Sequence, residues 1–239
     1  MKKLLLLLLV IPLSGLSQTK NVLMVTRIHP KAEKTLELEK AITAHAQKFH
    51  TGDWKWRVYQ IITGPEAGGY HIVEGFNNWT TLDGRGNLGP EHNADLQKNV
   101  APFAIARGVD EFSVYREDLS SVQASDFSDK VSIIHMYPRP GHVPAIVAGL
   151  KKMKKVWETG GESIAVYETH FSGERQIAIV NRLKEGWKEY EQGFRKPFPE
   201  RYIAMYGESA YQEYLKMMQE SVSRTWGEML TLRPDMGSK

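Results

Sequence analysis

The chain has no cysteine among its 239 residues. That removes disulfides, thiol nucleophiles and a cysteine-linked lipid anchor, and it leaves packing as the source of stability in any redox compartment. An excess of one charge is also lacking, with 31 lysines and arginines against 28 acidic residues. Nucleic-acid binding usually needs a basic footprint, so no nucleic-acid partner is expected. Lys151, Lys152, Lys154 and Lys155 cluster locally and read as the solvated flank of a helix. No apolar run is long enough to cross a bilayer, and no stable membrane anchor is expected. Gly-x-Ser-x-Gly and His-x-x-x-His are both absent. Neither a serine nucleophile on an elbow nor a helix-borne metal pair is indicated, and no metal ligand is assigned.

What is present begins with Met1-Lys2-Lys3, an apolar core at 4–10, and small residues Ser14, Gly15 and Ser17. A positive start, a short apolar core and a small-residue end make a secretory leader. Residues 1–17 are therefore expected to be removed, and the protein to be exported, periplasmic or secreted, from a bacterium. Without them 29 basic residues face 28 acidic ones. Roughly 220 residues remain, enough for one large core or two modest ones. Gly84-Arg85-Gly86-Asn87-Leu88-Gly89 spells a dinucleotide fingerprint. It follows a helical turn rather than a strand, so its glycines cannot present their amides to a pyrophosphate.

The strongest pattern is a repeat. Leu38, Ile42, His45 and Phe49 run i, i+4, i+7, i+11, and so do Ile146, Leu150, Met153 and Trp157. That spacing makes one stripe of an α-helix. In the first copy the stripe follows a strand at 21–28, with Val22, Met24, Thr26 and Ile28 on one face and Leu23, Val25 and Arg27 on the other. Strands at 55–63 and 70–76, a short helix at 79–83, a helix at 91–107 closed by Gly108, and a strand at 109–116 complete it. The serine-rich stretch 119–129 reads as a linker. The second copy has a strand at 131–137, a helix at 142–158, strands at 164–171 and 176–183, a helix at 208–224 and a strand at 228–233. Val58-Tyr59 returns as Val166-Tyr167, Gly64 as Gly173, Trp79 as Trp187, and the run from Glu111 as that from Glu228. The repeats are set at 20–118 and 130–235, with an insertion near 194–207 in the second.

A βαββαβ unit packs its helices on one sheet face and leaves the other bare, and a second copy can cover it. Three features carry a resemblance: the βαββαβ order in both halves, Trp79-Thr80-Thr81-Leu82-Asp83 with its echo at Trp187-Lys188-Glu189-Tyr190-Glu191, and the long helix before each last strand. On these the chain resembles a tandem, pseudo-dimeric member of the dimeric α+β barrel superfamily, antibiotic-biosynthesis monooxygenase-like, over 21–235. The resemblance implies an α+β fold of two ferredoxin-like repeats packed sheet to sheet with helices outside. It also implies a chamber between the sheets as the ligand site. A monomer would complete its own barrel, and further oligomerisation is left open.

Val131, Ile133, His135 and Tyr137 share one strand face, and Val166, Glu168 and His170 share another. Directed inward, His135, Glu168 and His170 would form a catalytic imidazole–carboxylate group suited to proton transfer. Tyr137, Asn181 and Arg182 would bind ligand beside them, with Asn181 or Arg182 between the two histidines. The first copy offers Arg27, Gln60, Glu74 and Arg116 for the same purpose. His45 is expected between helix and sheet with one hydrogen-bond partner; chlorite-dismutase-like relatives make haem ligation there an alternative, with no motif that carries a ligand over. His29, His50, His71, His92 and His142 stay unassigned. Phe194, Phe198, Tyr202 and Tyr206 lie where the repeat demands no aromatics, and are expected as a lid over the barrel mouth. The leading functional reading is an exported protein that binds a small hydrophobic or aromatic molecule, with cofactor-independent oxygenase or acid–base activity. The competing readings are a non-catalytic interaction module with a filled cavity and a haem-binding protein. No cofactor is assigned, and whether the chain is an enzyme is left open.

Overall fold

The computed structural model describes residues 19–85, 88–171 and 174–239. The expected leader lies outside the described residues, as do Gly86, Asn87, Ser172 and Gly173. Eight strands form a closed antiparallel barrel: β1 (Val22–Pro30), β2 (Trp56–Ile61), β3 (Tyr70–Asn77), β4 (Ala104–Tyr115), β5 (Lys130–Pro138), β6 (Ile164–His170), β7 (Gln176–Arg182) and β8 (Val222–Leu232). Around the barrel they run β1-β3-β2-β8-β5-β7-β6-β4. Each half thus supplies a four-stranded sheet. The halves join along β2–β8, where Tyr59 faces Leu232 and Ile61 faces Leu230, and along β4–β6, where Phe112 faces His170 and Tyr115 faces Tyr167. Closure leaves no sheet edge unpaired.

Alternation gives every strand an inner and an outer face. Leu23, Val25, Tyr59, Val73, Ile133, Tyr167 and Leu230 fill the interior. The outer faces carry the helices. Helix α1 (Thr35–Phe49) lays Leu38, Ile42, His45 and Ala46 over Trp56, Val58, Tyr70 and Ile72. After the short helices α2 (Trp79–Asp83) and α3 (Pro90–Asp95), α4 (Val143–Thr159) lays Ile146, Leu150, Met153 and Trp157 over Ile164, Val166, Ile177 and Ile179. Both helical stripes are where their spacing puts them.

Two boundaries differ from the sequence reading. The helix expected to reach 107 gives way after Asp95 to single turns at Leu96–Val100 and Ala101–Phe103, and β4 starts at Ala104. Pro102 offers no amide hydrogen to continue a helix, and Ala104 pairs instead with Pro30. Helix α6 (Glu208–Ser221) likewise stops short of Arg224, because β8 pairs with β5 along its length, from Lys130–Thr231 to Pro138–Val222.

The inserted aromatics are not a lid. Phe194 is exposed, and the other three belong to α5 (Phe198–Tyr206) on the outer surface, where Tyr202 is buried among Phe198, Tyr206, Tyr211 and Tyr214 at ring separations of 5.0–5.8 Å. Aromatic edges pack well against each other, and α4 and α6 offer the surface. The barrel mouth is crossed by the 119–129 stretch instead. Arg182 donates to the carbonyls of Gln123 (2.7 Å), Ala124 (3.0 Å) and Asp126 (2.5 Å), and Tyr59 Oη donates to that of Ser128 (3.1 Å).

Gly64, in the β2–β3 loop, has φ +92°, and a Cβ there would meet Gly227 O at 2.9 Å and Glu228 Cβ at 3.0 Å. Gly64→Ala should cost about 2 kcal/mol through strain at positive φ and pressure on β8. Thermal unfolding should show this as a melting temperature lower by roughly 4–8 °C; an unchanged value would mean the loop does not press on that strand.

Candidate functional site

At one end of the barrel interior the inward positions of six strands are polar. Arg27 from β1 donates through Nη1 to Glu228 Oε2 (3.0 Å) and through Nη2 to Glu228 Oε1 (2.5 Å) across to β8. His135 from β5 meets the same Glu228 Oε1 through Nε2 at 2.8 Å, and Gln176 Oε1 of β7 through Nδ1 at 2.9 Å. Gln176 Nε2 donates to Glu111 Oε2 of β4 at 3.1 Å. The His135 ring stacks on Trp226 at 3.9 Å and 13°, and the Arg27 guanidinium lies 5.8 Å from the same ring. His71 on β3 sits beside Arg27 in the strand register.

Burial and charge set the protonation of this group. Burial pushes the Glu228 carboxyl up, but hydrogen bonds from His135 and Arg27 outweigh it and bring the carboxyl down to about 2. Burial raises Glu111 against the opposing pull of Arg27 and His135. Burial, then the Arg27 charge, drives His71 down to about 3, so this imidazole is neutral near pH 7. His71 Nδ1 is buried and has no hydrogen-bond partner.

The cluster floors a cavity of about 60 Å³. His71, Glu111, Ser113 and His135 give its polar floor, Leu23, Val25, Val73, Val131 and Ile133 its apolar wall, and Phe127, Ser128 and Arg182 lie towards the mouth. Because Glu228 is ionised, His135 Nε2 must donate to it. Nδ1 then faces the Gln176 amide in one of two ways. A protonated Nδ1 donates to Oε1 while Glu111 is a carboxylate, or the amide is reversed, Nδ1 accepts, and Glu111 holds the proton. Both arrangements hold the same number of protons. His135 and the cavity-facing Glu111 are thus coupled through one amide, the protonation of each setting the orientation that suits the other.

The expected residues divide between the two barrel faces. His135, Arg27 and Arg182 point inward as expected, and buried Tyr137 receives a hydrogen bond from Trp226 Nε1 at 3.3 Å. Glu168 does not join His135. It shares the outer face with Ile164 and Val166, pairing with Arg116 and, at 3.2 Å, with Arg175. Arg116 is taken up by Glu168 and Asp118 near the surface. The residue opposite His135 on β7 is Ala178; Asn181 lies opposite Ser132, and Arg182 is spent on the 119–129 carbonyls. Gln60 and Glu74 alternate with Tyr59 and Val73 and so face the helices. The His170 side chain lies outside the described residues. Glu111, Glu228, His71 and Gln176 were not nominated from sequence. The first two were legible, since they stand at matching places in the last strand of each repeat.

On the outer face of the first half a second polar group surrounds Glu74. His50 Nδ1 donates to Glu74 Oε2 (2.8 Å), Trp56 Nε1 donates to the same oxygen (3.0 Å), and Arg85 Nε donates to Oε1 (2.7 Å). His45 Nδ1 meets Asp95 Oδ2 at 2.7 Å, and its Nε2 lies 3.3 Å from His50 Nε2. The buried ring is packed by Phe49, Trp56 and His92, so the residues here do not fit a porphyrin.

His71 makes the barrel pH-sensitive. Its folded value near 3 lies below the ordinary 6.5, so the stability from holding it neutral is complete above about pH 6.5 and drains as pH falls, by about 1.4 kcal/mol per pH unit. Between about pH 6.5 and 5, urea unfolding of His71→Phe should lose roughly 2 kcal/mol less than the parent chain. Equal losses would contradict a neutral, desolvated His71.

No family model and no curated protein matches this sequence. Solved structures do. An anthrone oxidase-like protein superposes with a TM-score of 0.56 at 12% identity, covering 90% of this chain and 92% of its own. A candidate monooxygenase from Lactobacillus acidophilus NCFM gives 0.51 at 11%, covering 92% and 96%. Another from Fusobacterium nucleatum subsp. nucleatum gives 0.53 at 10%, covering 88% and 91%. At such identity the likeness concerns architecture. Strand order and superposition converge on the architecture of a dimeric α+β barrel, built here in tandem within one chain.

Proposed function

We propose that the barrel interior binds a compact, largely apolar molecule carrying one hydrogen-bonding group, and that Glu111, Gln176 and His135 move a proton to or from it. The observation that carries this reading is His71 Nδ1, a buried polar atom without a partner on the polar floor of a cavity whose wall is aliphatic. Leaving such an atom unpaired costs about 1–3 kcal/mol, which a ligand hydroxyl or carbonyl would recover. The descriptions of the fold neighbours, two candidate monooxygenases and an anthrone oxidase-like protein, agree with a hydrophobic or aromatic ligand.

Size narrows the choice. An engineered cavity of ~150 Å³ takes benzene, whereas this one measures about 60 Å³. A single ring enters only if the mouth gives way, Phe127 first; a molecule of a few heavy atoms enters as the barrel stands. The same small volume favours a second reading, a non-catalytic module whose barrel is filled by its own side chains. Export, inferred from residues 1–17, belongs to the proposal. Among the described residues no helix is long and apolar enough to cross a membrane.

Two measurements test it. A set of phenols and small ketones, each at ~100 times its dissociation constant, should stabilise the protein by about 2.7 kcal/mol, or roughly 5–10 °C. His71→Phe should remove that shift for ligands whose polar group is their only hydrogen-bonding atom. No response from any member of the set would favour the filled barrel. For export, the mature amino terminus of the protein made in a bacterial host should begin just after Ser17 in the periplasmic or culture fraction; retention of Met1 in the cytoplasm would refute it.

A further inference from the structure

The outer polar group of the first half contains three buried histidines, His45 from α1, His50 just after it, and His92 from α3. Each offers one nitrogen to a common point, and the three donor atoms lie within 4.8 Å of one another. His50 Nε2 is 3.3 Å from His45 Nε2 and 3.3 Å from His92 Nε2. The opposite nitrogen of each ring is held by an oxygen: Asp95 Oδ2 on His45 (2.7 Å), Glu74 Oε2 on His50 (2.8 Å) and Asn93 Oδ1 on His92 (3.2 Å).

This arrangement fixes the tautomers. Carboxylates at Nδ1 of His45 and His50 require the proton there, and Asn93 Oδ1 accepts the same proton from His92, so each neutral ring turns its Nε2 lone pair to the same place. Lone pairs facing each other at 3.3 Å are repulsive, and a Lewis acid among them removes the conflict. The spacing is also quantitative. Tetrahedral zinc holds imidazole nitrogens at about 2.0–2.1 Å, which sets neighbouring ligand nitrogens about 3.3–3.4 Å apart. Two edges already match. Closing the third, now no longer than 4.8 Å, needs a movement of about 1.4 Å or less shared between two rings. Oxygen partners behind metal-binding imidazoles are the usual means of orienting them.

We propose that His45, His50 and His92 form a binding site for one zinc-class divalent cation, with Asp95, Glu74 and Asn93 as the groups that orient the ligands and with water in the fourth position. The site ties α1 and the 90–95 helix to the outer face of the sheet. It is absent from the second half, where the place of His45 on the helical stripe is taken by Met153. It stands independently of the barrel interior, since Glu74 and His71 project from opposite faces of β3.

The test is a titration of the untagged, chelator-stripped chain with Zn²⁺ alone, read by a competing chromophoric chelator and by elemental analysis after desalting. One ion per chain is expected, with a rise in melting temperature. Co²⁺ in its place should give the intense visible bands of a tetrahedral N-donor site. Asp95→Asn, which keeps the ligands, should weaken Zn²⁺ binding by about 10–100-fold, and His92→Gln, which removes one, by more. Absence of Zn²⁺ binding by the parent chain would overturn the proposal without any variant having to fold. Binding that is unaltered in both variants would overturn it as well, by locating the ion elsewhere.

Discussion

The structure depends on one constraint, that each half hides the inner sheet face of the other. A four-stranded sheet with helices on one side has an apolar second side that water cannot cover favourably. Here β2 pairs with β8 and β4 with β6, so the two sheets close on one interior and share it. Leu23 and Val25 of one half then pack with Ile133, Tyr167 and Leu230 of the other. Joining the halves in one chain makes this closure an intramolecular event, and the 119–129 stretch that joins them also covers the mouth through Arg182 and Tyr59.

Closure also decides where charge is tolerated. Arg27 and Glu228 are 201 residues apart in sequence and belong to different halves, yet each is the other's principal partner. A buried charge is costly unless paired and hydrogen-bonded, so neither residue could occupy its strand without the opposite sheet. Repeat symmetry runs through the cluster: Arg27 and His135 stand at matching places, as do Glu111 and Glu228. The symmetry is broken where it matters chemically. Arg27 grips Glu228 directly, whereas His135 reaches Glu111 only through Gln176, and the unpartnered His71 Nδ1 lies in the first half.

A β-strand of this barrel therefore serves two chemistries at once. On β3, His71 enters the barrel and Glu74 enters the histidine group beneath α1; on β6, Tyr167 enters the barrel and Glu168 pairs with arginines outside. The sequence reading grouped residues by face correctly. Val131, Ile133 and His135 do share a face, and so do Val166 and Glu168. Which of those faces points inward it left conditional, because alternation carries no label for inside. Histidine and glutamate fit a barrel floor, a helix interface and a solvated edge equally well by composition.

Two helical stripes, the internal duplication, the βαββαβ succession of elements within each half and the absence of any thiol chemistry were written in local pattern, which depends only on composition, on periods of 3.6 and 2 and on recurrence along the chain. The partnership of Arg27 with Glu228, the gathering of His45, His50 and His92, the burial of Tyr202 under the outer helices, and the width of the interior were decided by tertiary structure alone. These are contacts between segments far apart in sequence, and their partners are chosen by which sheet edge meets which. Spacing along a single chain does not encode that choice.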